Sequence, residues 1–142
     1  MFKKIICATD GSDSADQALA LATSLATESG GSVVIVHAIE HLTGPGARGG
    51  PTEAADEDER IVKLKQQVAD LAGKGVTASE RIVEAGFNNT AHAIADVAVE
   101  EHGDVIVIGT RGHTALAGLL LGSVAQRLLH IAACPVLVVP KS

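Results

Sequence analysis

A chain of 142 residues is one domain by size and can bury roughly two-thirds of its unfolded surface. Apolar residues make up 46% of it and aromatics only 1%, with no Trp or Tyr, so the core must be built from Val, Ile, Leu and Ala. Lys plus Arg is 11 against 17 Asp plus Glu, a net charge of −6 with no basic stripe, which argues against nucleic acid and anionic membrane surfaces as main partners.

The opening MFKKIICATD has an apolar run too short for a secretory signal, and no stretch approaches the ~20 apolar residues of a membrane span. KIICAT (4–9) reads as the first strand. Neither its Cys7 nor Cys134, which precedes Pro135, has a partner at CxxC spacing, so both are expected to be small hydrophobes in a reducing cytoplasm. A helix follows at about 14–30. It is opened by a Ser14-x-x-Gln17 capping box and carries Ala18, Leu21, Ala22 and Leu25 as its apolar stripe. SVVIVHAI (32–39) is the second strand. Its His37, like His92, His102 and His130 on helices, has no companion at ligand spacing, so core or solvated roles are expected.

GPGARGG (44–50) contains a literal G-x-G-x-x-G at Gly44, Gly46 and Gly49. The dinucleotide fingerprint needs those glycines in a tight turn between a strand and the helix that receives the pyrophosphate. Here the strand ends at about Ile39, Pro51 follows, and the next helix (53–73) opens on the acidic run EAADEDE (53–59). A mobile surface loop over about 40–52 is expected instead, with the carboxylates matching the helix dipole and not a metal. GKGV (73–76) lacks the Ser or Thr that a Walker loop places after its lysine.

TASERIVEA (77–85) alternates polar and apolar residues and carries Glu80, Arg81 and Glu84, as a protected sheet edge should. A helix at 89–102, a strand DVIVIG (104–109), a helix at 118–132 and a strand PVLVVP (135–140) complete the pattern. Strands alternating with helices of this length predict right-handed crossovers. The fold class is therefore α/β, a single doubly wound five-stranded parallel sheet with helices on both faces. The last strand is apolar on both faces, Val136 and Val138 one way, Leu137 and Val139 the other. As a sheet edge it needs a cover, and the same strand of a second copy would supply one, giving a homodimer.

GTRGHTALAGLLLGS (109–123) joins the fourth strand to a helix that begins near Gly122-Ser123. In a doubly wound sheet, ligands sit beyond the carboxyl ends of the strands where their order reverses, and the first strand ends there too, at Thr9-Asp10-Gly11. Glycines and a free helix N-terminus facing that crevice suit a phosphate. Arg111, His113 and Arg127 are near in sequence, with a solvated side chain as the ordinary role of each. The loop reads as a binding device first.

Gly109-x-x-Gly112, nine residues, then Gly122-Ser123 resembles the G-2x-G-9x-G-[S/T] signature of the universal stress protein family, in its ATP-binding branch. The resemblance covers the whole chain, from KKIICATDGSDSADQAL through VVIVHAIE and EAGFNNTAHAIADVAVEEHGDVIVIGTRG to GSVAQRLLHIAACPVLVVP. It implies an adenine nucleotide alpha hydrolase-like sheet in the order 3-2-1-4-5 and dimers through the last strand. Carried over by position, it implies that Asp10 holds the ribose hydroxyls, that Ala8 and Thr9 line the adenine pocket, and that the backbone of Ala38 reads the base edge. Gly109, Gly112, Gly122, Ser123 and Val124 would hold the phosphates, with Arg111 and His113 beside them. Mg²⁺ would be carried by the phosphates and not by protein side chains.

The function expected is a stress or signalling module in which bound ATP tunes shape or a protein partner, with little or no turnover. The alternative is a slow ATP hydrolase or an adenylate-forming enzyme. DGSDSA (10–15) departs from the S-G-G-x-D-S pyrophosphatase loop at Asp10, and the H-x-G-H motif of nucleotidyltransferases is absent. A phospho-receiver reading lacks the acidic pair at the first strand's end.

Overall fold

The computed structural model describes residues 2–40, 51–86, 88–110 and 121–141. Strands and helices alternate along them: β1 (Lys4–Ala8), α1 (Asp13–Ser29), β2 (Ser32–Glu40), α2 (Pro51–Gly73), β3 (Thr77–Ala85), α3 (Thr90–Glu100), β4 (Val105–Gly109), α4 (Ser123–Ile131) and β5 (Val136–Val139). All four strand pairings are parallel, and the order is β3-β2-β1-β4-β5. The expected fold class and order are therefore both found.

Successive residues of a strand point to opposite faces, so the near-continuous apolar runs of β1, β2 and β4 feed two cores at once. Ile5, Cys7, Val33, Ile35, Val105 and Val107 pack under α1 and α2, against Ala18, Leu19, Ala22, Leu64 and Leu71. Ile6, Val34, Val36 and Ile106 pack under α3 and α4, against Ile94, Ala98, Ala125 and Leu128. Each fully buried Val, Ile or Leu contributes about 1.5–3 kcal/mol, which lets a core almost free of aromatics hold the sheet. Cys7 lies wholly inside, and burial, with the Asp16 charge adding, pushes its thiol up to about 12.

Several boundaries differ from expectation. The N-cap of α1 is Ser12, whose hydroxyl accepts from the Ala15 amide at 3.3 Å. The Ser14-x-x-Gln17 box is passed over because the turn ahead of it decides the start. Gly11 takes φ +82, and Asp10 Oδ1 accepts from the Ser12 amide at 2.9 Å, so the helix is already under way at Ser14. The buried stripe is correspondingly rotated to Ala15, Ala18, Leu19, Ala22 and Ala26. α2 begins at Pro51, a residue suited to the first helical position, and α4 begins at Ser123 and not at 118. The expected loop over about 40–52 falls, from 41 to 50, outside the described residues, as do the GPGARGG glycines.

The two sheet edges are unlike. On β3, Lys65 reaches Glu80 at 3.1 Å, and Arg81 pairs with Glu100 at 2.7 Å and Glu101 at 3.1 Å. The Arg81 guanidinium holds the Glu101 carboxyl below its ordinary value. Such exposed pairs contribute little stability, but they keep this edge charged. On β5 all four residues are half-buried, Val136 and Val138 resting on one core and Leu137 and Val139 on the other. No described helix is long and apolar enough to cross a membrane.

Candidate functional site

The carboxyl ends of β1 and β4 lie side by side at the centre of the sheet, where the crossovers change direction. Beyond them opens a cleft of about 480 Å³, within the range of small-molecule sites. Ala8, Thr9, Asp10 and Ala38 line one bank; Gly109, Gly122, Ser123 and Val124 line the other. Eight of the eleven residues singled out from the sequence thus meet in one place. The other three, Arg111, Gly112 and His113, lie outside the described residues.

The first bank is a fixed turn. The Thr9 amide donates to the Val36 carbonyl at 2.9 Å, and Thr9 Oγ1 accepts from the Gly11 amide at 3.1 Å. Asp10 is thereby presented at the rim of the cleft with one carboxylate oxygen engaged by Ser12. Ile94, Ile108 and Ala125 give the floor apolar surface suited to a flat base or ring.

The second bank is a helix end. Gly122 caps α4 in an extended conformation, φ −67 and ψ 157, and brings no side chain to the amides of the first turn. Two other helix starts have a carboxylate at hand. α1 has Asp13 and Asp16 in its first turn. α3 borrows Glu40 from the end of β2, which accepts from the Asn88 amide at 2.9 Å and the Thr90 hydroxyl at 3.4 Å. α4 has none in its first turn. Among the described residues no carboxylate or side-chain cap answers its positive dipole end, which opens on the cleft.

Gly109 is a glycine for a different reason from the one its motif suggests. A Cβ there would sit 2.4 Å from Ser14 Oγ and 2.8 Å from the Ser14 carbonyl oxygen. Close packing of α1 on β4 requires the glycine, whatever the cleft holds.

Sequence reasoning missed the α2 side of the site. His37 is buried with Nδ1 3.1 Å from the Thr9 carbonyl oxygen, and its Nε2 meets a Glu57 carboxylate oxygen. Arg60 Nη1 donates to the other Glu57 oxygen at 3.3 Å, and Asp56, Glu57 and Arg60 all reach the cleft wall. Alternation along β2 puts His37 on the face of Val33 and Ile35, but no local spacing links it to a residue 20 positions on. Among the described residues no group of three or more His, Cys, Asp or Glu could hold a metal ion.

The sequence pattern of the universal stress protein family matches residues 1–140. A universal stress protein of Thermus aquaticus is 37% identical over 140 residues, spanning 98% of this chain and 99% of that protein. Two solved structures align along nearly the whole length. One is a universal stress protein in complex with cAMP, 25% identical, with a TM-score of 0.72 and 99% of each chain covered. The other, from Archaeoglobus fulgidus in complex with dAMP, is 27% identical, with a TM-score of 0.69 and 97% of each chain covered.

Proposed function

Because the chain belongs to the universal stress protein family, we propose that its cleft holds an adenine nucleotide, ATP in the first place. The protein then works as a nucleotide-dependent stress or signalling module with little or no hydrolysis. The observation that carries this reading is the start of α4, with no acid in its first turn and no side-chain cap among the described residues, on the same apolar-floored cleft as Asp10. Relatives solved with cAMP and dAMP make an adenylate the natural occupant. The base lies against Ala8, Thr9 and Ala38, and Asp10 takes the ribose hydroxyls. The phosphates meet the amides of Ser123 and Val124 beside Gly122, whose own amide donates to the Thr110 carbonyl, with Gly109 behind them and Arg111, Gly112 and His113 in the adjoining loop. Mg²⁺ fits this donor set only as a companion of the phosphates, since the described lining near α4 supplies hydroxyls and amides.

Magnitudes favour a binder over a catalyst. Charge-assisted hydrogen bonds at about 1.5–3 kcal/mol each, with up to about 2 kcal/mol from the dipole, offset an association cost of at least about 4 kcal/mol. Transfer of the phosphoryl group would need a placed base and a cation clamp as well. Among the described lining, His37 is engaged on both ring nitrogens and Arg60 on Glu57. The purified protein, heat-denatured and its supernatant chromatographed, is expected to release intact adenine nucleotide. ADP alone with measurable turnover would make it the slow hydrolase instead. No released nucleotide, together with no calorimetric binding of millimolar ATP, would end the proposal.

The same reading includes a cytoplasmic homodimer joined through Val136, Leu137, Val138 and Val139, supported by the half-buried apolar edge of β5. Light scattering at micromolar concentration is expected to give twice the chain mass, and a monomer would refute it.

A further inference from the structure

The described side chains ahead of Leu64 on α2 tie it to β2 and to the β1–α1 region by polar contacts. The helix's fully buried anchors, Leu64 and Leu71, come in its later turns. Ahead of them, the described ties to other elements are Glu57 on His37 and Lys63, whose Nζ donates to the Gly11 carbonyl and to Asp16 Oδ2, both at 2.9 Å. His37 itself is 4% exposed, and both its ring nitrogens face acceptors. A neutral imidazole has a single N–H to donate, and the Thr9 carbonyl can only accept. Making both bonds requires one proton more than a neutral ring beside an ionised Glu57 contains. With Glu57 ionised, that proton makes the ring an imidazolium, with an N–H toward each acceptor.

We propose that His37 is a positioning residue for the nucleotide: the extra proton of its pair with Glu57 fastens α2 to the Thr9–Gly11 turn and offsets the Glu57 charge on the cleft wall, so affinity falls when that proton leaves. The proposal rests on reading the cleft as an adenine-nucleotide site. Without the proton, either the Thr9 carbonyl or Glu57 loses its donor at His37, and the wall that phosphates must approach becomes more negative by one charge, Arg60 alone remaining on Glu57. Charged groups surround the pair on every side. α2 contributes Asp56 and Arg60, the β1–α1 turn Asp10, and α1 Asp16, held by Lys63. β2 contributes Glu40, engaged at α3, and β3 contributes Glu80, held by Lys65, and Glu84. Carboxylates, lysines and arginines as classes keep their charge through neutral pH, whereas histidine is the side chain that changes there.

Calorimetric titration of the whole protein with ATP from pH 6 to pH 9, beside Glu57→Gln, tests this. In the variant an amide N–H can donate to a bare Nε2, so no extra proton is needed. The titration of ATP itself is common to both proteins and cancels in their ratio. Wild-type affinity relative to the variant is expected to fall about tenfold across that range, the scale of one charge-assisted hydrogen bond. Adenosine, which has no phosphate, should show a smaller change than ATP. Nitrogen-15 spectra of the wild-type His37 ring should show both nitrogens protonated at pH 6.5. A bare nitrogen at that pH overturns the proposal, as does a ratio constant within twofold while both proteins bind. If neither protein binds ATP at any pH, the nucleotide reading falls and this role with it. A doubly protonated ring would then mark only a tether for α2.

Discussion

Gly122→Asp is expected to weaken adenine-nucleotide binding by about 100-fold or more while far-ultraviolet circular dichroism stays near wild type. The backbone at Gly122, φ −67 and ψ 157, is ordinary extended geometry that an aspartate adopts without strain. Aspartate is among the best N-cap residues, so α4 should if anything be firmer. The new carboxylate would satisfy an amide of the first turn and place a negative charge where phosphate is to sit. Two lost hydrogen bonds to a charged group, at about 1.5 kcal/mol or more each, already amount to about 100-fold. Calorimetry with ATP gives the affinity, and thermal unfolding confirms the fold. Unaltered affinity in the folded variant would remove the α4 terminus from the site.

Gly109→Ala should fail in the opposite way, by losing stability. Its added methyl would press on Ser14 Oγ at 2.4 Å, and also on the Ser14 carbonyl oxygen and carbon at 2.8 and 2.9 Å. A side chain can rotate away, but the backbone of the first turn of α1 must shift, and Ser14 is buried. Overpacking of this kind costs about 3 kcal/mol, or a fall of about 9 °C in Tm for a chain of this size. Differential scanning calorimetry reads it directly. A Tm within 2 °C of wild type would show that α1 moves freely over β4. The two glycines share one sequence signature, and the variants should separate a ligand-facing position from a packing position.

That contrast shows where the sequence was legible and where it was not. The strands could be read because β1, β2 and β4 are apolar on both faces, a pattern a helix between polar loops would not produce. Sheet order was not readable from periodicity and came from family likeness, since nothing local in DVIVIG says that it lies beside KIICAT. The capping box at Ser14 misled because cap propensity is weaker than the Asp10-Gly11 turn, which commits the chain to a helix two residues sooner. The banks of the cleft were legible because strand ends and helix starts carry their chemistry in adjacent residues. His37 and Glu57 were not, because their meeting depends on how α2 crosses the sheet, a tertiary fact with no short-range imprint.

The pairing of β1 has one more consequence. Ile5 lies beside Val33 on one side and beside Val105, a hundred residues further along, on the other. Neither half of the chain alone possesses both walls of the cleft, so a molecule lodged between them acts as a clasp across a closure of a hundred residues. Its binding free energy therefore opposes separation of the two halves, as RT ln(1 + [L]/Kd), about 2.7 kcal/mol at a hundredfold excess over Kd.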